Sequence, residues 1–396
     1  MTVTDAFARP GTSAEPPLRP TPFASACADG LPVPRARIGY VALSSAAEAL
    51  PSTRIAVLNV LPLLRQHGFE AAIVHSPAVP TETPALPAGL LDDILAQHCD
   101  AVVFQKMRGP DVLALAAALE THGVRTVYQV CDIVDAPMAA TTSATVVVTD
   151  YLRSLYPAAL QPRIHVVHDG IEHPHRRIRA PAETSHDPTP LLHAVLVTSS
   201  ELEHLPVVGN PPPWLRVTIV ARYPPRADRA ARLRTGRWSL ARQRGWRDKL
   251  DFLRFTTHPR IVREAWDAEG VYRHLLAADV GIVPIDTQAG CDGGAGSEVP
   301  GWKVKSENRL TMKMAVGLPV VATPIPAYLP VVEQGVNGFL AGTRDEWLSC
   351  LQRLRDPVLR HDIGLAARAS VIERFSKEEQ ARRMAAVFDA ILARRR

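Results

Sequence analysis

Lys303, Lys305 and Arg309 crowd the start of a segment, Lys303 to Pro324, that reads KVKSENRLTMKMAVGLPVVATP. Ser306 is a favoured type of helix N-cap and Gly317 the favoured type just past a helix end, so one short helix is predicted between them. Leu318 to Thr323 then reads as a buried strand rich in β-branched residues, stopped at Pro324. A helix N-terminus carries unpaired N–H groups and a partial positive charge, which alone would favour acids. Glu307 is the one acid there. Cations at that end make sense when an anion lies between them, and phosphate is the usual anion. Lys305, Arg309, Ser306 and Asn308 are therefore candidate ligands, with Glu307 beside them.

Three further positions fit chemistry. Lys106 follows one predicted strand and Asp132 the next, so both fall at carboxyl ends of strands, where open α/β sheets bind ligands. Lys106 or Arg108 is expected to hold a phosphate or an acceptor. Asp132 is expected to accept a hydrogen bond from a substrate hydroxyl or to assist it as a base. Arg54, in the first loop, is a similar rim candidate. His165, His168 and His173 straddle a strand and a linker with no companion acid motif, so no metal site is expected. The five cysteines are far apart and form no CxxC pair, which supports neither a disulfide framework nor zinc, and points to a reducing compartment.

The elements that position these residues alternate. Residues 1–35 are rich in Pro, Ala and Ser and read as a disordered leader. From Arg37, apolar strands begin at Arg37, Glu70, Asp100, Thr126, Ala144 and Ile164, with helices over Ile55 to His67 and Asp111 to His122. A polar, proline-rich stretch, 173–190, reads as a linker. The alternation restarts at Leu192, Leu215, Val280 and Leu318, with helices at Gly270 to Ala278 and Ser306 to Val316. The tail is helical, its last helix running from Lys377 with Ser376 as cap and Glu379 completing a capping box. The expected fold class is α/β: two Rossmann-like doubly wound parallel sheets with an interdomain cleft. The N-terminal domain covers 36–172 and the C-terminal domain 191–375. A C-terminal helix, 376–396, packs back toward the N-domain.

An apolar fraction of 46% fits a globular chain, and no apolar run approaches the ~18 residues of a membrane span. No signal-peptide pattern opens the sequence, so the expected location is cytoplasmic. Arg222 to Lys249 carries ten basic and two acidic residues with Trp238 and Trp246. A solvated Arg-rich helix accounts for this stretch; so does a surface that docks on the inner face of an anionic membrane. No nucleic acid partner is expected.

In order and spacing, several stretches resemble the GT-B glycosyltransferases, specifically the family 4-like group. Pro51 to Gly68 looks like that group's first loop and helix. Val166-Val-His-Asp-Gly-Ile-Glu is similar to its V-x-N-G-x-D, with Asp169 for Asn and Glu172 for Asp. Leu275 to Pro284 looks like the strand before the donor site, and Ala315 to Pro324 with Val336 to Leu340 matches most closely. The resemblance implies a nucleotide-diphospho-sugar donor held by the C-terminal half, a hydroxyl acceptor on the N-terminal half, and hexosyl transfer with retention. It implies no metal or cofactor, since cations and N–H donors would stabilise the diphosphate leaving group. Lys305, Arg309, Ser306, Glu307 and Asn308 would then be donor ligands. The group's Glu-x7-Glu is absent: Val304 and Met312 stand at those positions, and Glu307 is the substitute for the first. Its usual Arg and Lys after the first C-domain strand are also missing, and Arg222 is expected to replace part of that charge. The glycine-rich stretch Gly290 to Gly301 is expected to close over the donor. The alternatives are a nucleotide-sugar-binding partner that has lost transfer, and an epimerase of the same fold.

Overall fold

The computed structural model describes residues 23, 34–177, 191–199, 205, 207–287 and 299–393. The leader up to residue 33 (apart from Phe23), most of the linker and positions 290–298 of the glycine-rich stretch lie outside the described residues.

The N-terminal half carries six strands: β1 (Ala36–Ala42), β2 (Phe69–His75), β3 (Ala101–Gln105), β4 (Arg125–Val130), β5 (Ala144–Val147) and β6 (Ile164–Val166). All pair in parallel in the order β2-β1-β3-β4-β5-β6. Between them run α1 (Pro51–Thr53), α2 (Leu61–Leu64), α3 (Leu90–Ala96), α4 (Pro110–Thr121), α5 (Ala136–Thr141) and α6 (Asp150–Ser154). The second half repeats the scheme with β7 (Leu192–Val197), β8 (Leu215–Ala221), β9 (Ile261–Ala265), β10 (Val280–Val283), β11 (Val320–Ala322) and β12 (Phe339–Leu340). Their order is β12-β11-β10-β7-β8-β9, again all parallel. Its helices are α7 (Arg229–Arg242), α8 (Trp246–Thr257), α9 (Gly270–Leu276), α10 (Asn308–Ala315), α11 (Arg344–Arg353), α12 (Pro357–Val371) and α13 (Lys377–Ala393). Parallel sheets need both faces covered, which is why strands such as Val280–Val283 are apolar and buried throughout.

The two halves are tied by α13. Its Ala381, Met384, Val387, Phe388 and Ile391 pack with Ile38, Tyr40, Val57 and Val127 of the N-terminal sheet layer. The approach is close: a Cβ on Gly170 would lie 2.9 Å from Lys377 Cα, and Gly170 N donates to Gln380 Oε1 at 3.1 Å. Ser376 caps α13 by accepting from Glu379 N, but the Glu379 carboxylate turns to Arg382 and Arg383 instead of closing a capping box.

Two predicted helices differ in detail. Ile55 to His67 is not one helix: a π-turn over Arg54–Leu58 separates α1 from α2, and a 3-10 turn over Arg65–His67 ends it at Gly68. Pro62, which has no N–H to donate, sits in this stretch. The helix predicted from Ser306 begins later, with Glu307 as its flanking residue. Its other end matches: Gly317 has φ +88°, a left-handed conformation that glycine adopts without strain. No helix among the described residues is long and apolar enough to cross a membrane.

Candidate active site

The start of α10 and the carboxyl ends of β3 and β4 face each other across the gap between the halves. On the α10 side, Arg309 Nη2 donates to Ser199 Oγ at 3.0 Å, joining the helix to the loop after β7. Burial, and then Arg309, lower the Lys305 pKa, while Asp132 across the gap opposes that shift. Two cations held this close on a half-buried surface is the arrangement expected of an anion site. Asn308 opens the first turn of α10, half-buried.

Ser306 is not the cap of this helix. The helix begins one residue later, with Glu307 as its flanking residue and no side-chain cap bond, and the Ser306 hydroxyl donates to the Asp169 carboxyl of the other half. Asp169 is buried, and burial together with the Glu307 carboxylate raises its pKa to about 7, Ser306 and His168 opposing. Glu307 is only 1% exposed. Its Oε1 lies 2.8 Å from His168 Nδ1, which is also 2.9 Å from Val148 O. Both neighbours are acceptors, so Nδ1 carries the proton and donates to the pair. Glu307 Oε2 is buried and has no hydrogen-bond partner among the described residues. A cavity of about 100 Å³ lies here, lined in part by Thr149, Asp150, His168, Glu307, Pro326 and Arg374. An unpaired buried carboxylate oxygen is costly in a closed protein, and a ligand hydroxyl is the kind of donor that would satisfy it.

On the β3–β4 side, Lys106 has φ +59°, an uncommon left-handed backbone for a side chain with a Cβ. Its N–H still donates to Gln129 O at 2.8 Å, so the sheet continues while the side chain is turned aside. The ammonium reaches Asp132 Oδ2 at 2.8 Å and Glu82 Oε1 at 3.2 Å. Burial works against its charge, but Cys131, Asp132 and Glu82 outweigh it and raise the Lys106 pKa. Arg108 shares Glu82, Nε to Oε2 at 3.2 Å. The neighbouring Cys131 thiol, half-buried, is pushed well up by burial and by Asp132, which disfavours the thiolate.

Glu82 and Asp132 thus tie Lys106 and Arg108 together, and across the gap Asp132 acts electrostatically on Lys305, and Glu307 on Asp169, which Ser306 bonds. Arg54 is placed elsewhere. It makes a two-pronged ion pair with Glu172 at 2.7 and 3.1 Å, and its guanidinium lies over Trp266 of the other half. It lines a different cavity, of about 330 Å³, with Asn59, His173 and Glu269. Arg222 lies exposed one residue beyond β8. His168, Asp169, Ser199 and Glu82 were not singled out as site residues. The Asp for Asn at 169 was a signal in the sequence; nothing marked Glu82, which reaches Lys106 from a proline-rich loop. Val304 is buried against the N-terminal core and Met312 packs beside Val195 and Leu318, so hydrophobic contact fills the two positions where carboxylates were expected. No group of three or more His, Cys, Asp or Glu among the described residues is arranged to hold a metal.

No family model and no curated protein matches the sequence. Solved structures do. The sucrose-phosphate synthase of Thermosynechococcus elongatus aligns over 91% of this chain and 100% of its own, with TM-score 0.60 and 15% identity. Anabaena Alr3699/HepE, in complex with UDP and glucose, aligns over 90% of this chain and 100% of its own, with TM-score 0.58 and 13% identity. AviGT4, a glycosyltransferase involved in avilamycin A biosynthesis, aligns over 90% and 98%, with TM-score 0.52 and 14% identity. The chain has the GT-B fold. In this GT-B molecule the gathered residues lie between the two sheets, at carboxyl ends of strands, where doubly wound domains bind ligands.

Proposed function

We propose that the chain transfers a sugar from a nucleotide-diphospho-sugar donor to a hydroxyl acceptor, without a bound metal and with retention of configuration. One observation carries this reading: the Arg309 charge acts on Lys305 at the start of α10, and so, across the interdomain gap, does Asp132, the partner of Lys106. A departing diphosphate needs concentrated positive charge and N–H donors, and this helix start supplies both in a water-poor setting. Ser199 orients Arg309 toward that position. Glu307, with one oxygen held by His168 and one unpaired, accepts a donor hydroxyl in place of the missing Glu-x7-Glu pair. Asp132, held by Lys106, offers its carboxylate to a hydroxyl of the transferred sugar or of the acceptor. The GT-B structures with UDP and UDP-glucose support the donor class, and the fold supports the division of labour between halves. The hydrophobic filling at Val304 and Met312 favours one rival, a donor-binding partner that has lost transfer.

The test is a thermal-shift screen with nucleoside diphosphates and their sugars, followed by turnover of the sugar that binds. A ligand at 100 times its Kd stabilises the fold by about 2.7 kcal/mol. Lys305→Ala and Arg309→Ala are each expected to remove most of the shift. Unchanged donor binding in both variants would overturn the placement of the diphosphate; binding without turnover in any acceptor mixture would favour the rival.

A further inference from the structure

The helical hairpin between β8 and β9 does not behave as a wall of the domain it belongs to. α7 spans 14 residues and buries none of them. Isolated helices of that length are marginal in water. This one also carries Gly236 near its middle, with open space around it, and arginines at 229, 232, 234 and 237 that repel one another along the helix. α8 buries only Phe255. It is amphipathic the wrong way round: Trp246, Leu250 and Leu253 recur at i, i+4 and i+7, share one face, and are 68%, 41% and 42% exposed. Leu233 and Trp238 of α7 are exposed as well.

Charge surrounds this apolar stripe. Arg222 to Lys249 holds ten basic residues against Asp228 and Asp248. Both acids are used locally, accepting from Ala231 N at 2.8 Å and Gly245 N at 3.2 Å to cap their helices. Arg242 lies over the Trp238 ring at 4.6 Å and Arg247 over Trp246 at 5.4 Å, so the aromatics carry cations at their faces. We infer that the α7–α8 hairpin is a docking surface for an anionic lipid bilayer. Tryptophan and leucine enter the interface between headgroup and acyl chain, and the arginines meet the lipid charge. Aliphatic Leu233, Leu250 and Leu253 distinguish this surface from a nucleic-acid site, where phosphates reward the cations but nothing rewards exposed leucines. The hairpin flanks β8 and β9, the outer pair of the C-terminal sheet, and is reached from the carboxyl end of β8. Docking there sets the β9 edge of that sheet beside the bilayer without covering α10, which packs on β10 and β11, beyond β7.

The experiment is vesicle flotation of the full chain with phosphatidylcholine alone and with phosphatidylcholine mixed with phosphatidylglycerol, at low and high salt. Binding is expected only to the mixed vesicles, with loss at high salt and a blue shift of tryptophan emission. Trp246→Ala and Leu250→Ser, both exposed, are expected to weaken partitioning roughly 10-fold each. Arg237→Gln and Arg247→Gln are each expected to weaken it about 5-fold. Circular dichroism checks that every variant retains the wild-type fold. No flotation with anionic vesicles would overturn the inference, as would flotation that the four variants leave unchanged. A gel shift of single-stranded RNA without flotation would overturn it in favour of a nucleic-acid surface.

Discussion

Replacing Lys313 by methionine is expected to stabilise the protein, most of all at and below neutral pH. Lys313 is fully buried within α10, with its stem against Gly281, where a Cβ would fall 2.7 Å from Lys313 Cδ. Its ammonium donates to Arg309 O at 2.8 Å, its one hydrogen bond among the described residues, and no carboxylate faces it there. Burial first, and the Arg309 charge second, lower its pKa from 10.5 to about 7. The unfolded chain binds this proton up to the ordinary value and the folded chain only up to about 7, so stability rises with pH across that window. Integrated, the lysine costs on the order of 4 kcal/mol at about pH 7 and about 2 kcal/mol at about pH 9. Methionine has similar reach and no charge to desolvate, and it gives up one hydrogen bond worth about 1 kcal/mol. The net gain is therefore about 3 kcal/mol near pH 7, shrinking to about 1 kcal/mol near pH 9. Urea unfolding of both proteins at the two pH values measures it. Equal pH slopes, or a less stable methionine variant, would refute a buried lysine without an acid partner.

Asp169→Asn addresses the opposite sign. The folded chain holds the Asp169 proton between the ordinary 3.8 and about 7 while the unfolded chain has lost it, so stability falls as pH rises through that window. Asparagine is expected to be more stable by on the order of 3 kcal/mol above about pH 8, with no difference near pH 4; equal melting curves above pH 8 would count against the buried carboxyl. Asp132→Asn is expected to lower turnover by about 100-fold while the donor thermal shift stays near wild type, because the diphosphate cations are untouched. Loss of donor binding in that variant would move Asp132 from the chemistry to the donor pocket.

Much of the architecture was legible because parallel, doubly covered strands leave apolar runs and their helices end at glycines. Val280–Val283 and Gly317 are examples. β9 escaped notice because it is an edge strand whose Val262, Arg263 and Glu264 are only half-buried. The site was legible where its logic is local, as in the cations at the start of α10. It was illegible where the deciding partner is far away in the sequence. Ser306 looks like a cap until the helix starts one residue later and its hydroxyl turns to Asp169, and Arg54 looks like a rim cation until Glu172 takes two of its three nitrogens. Such contests depend on residues brought together only by the closed fold.

α13 gives the molecule a history as well as a shape. The N-terminal sheet leaves the ribosome long before the helix that covers its Ile38–Tyr40 face, and the whole second sheet is made in between. Until then that face is covered only in part, by Val57, Val60 and Leu64, and the pair Arg35–Asp389, 2.7 Å apart in the finished protein, is unmade. Exposed apolar surface on a waiting domain is what chaperones bind and what aggregates. Emergence of α13, rather than of the first domain itself, is therefore the moment at which that domain closes. The order in which this chain is made is not the order in which its halves are completed.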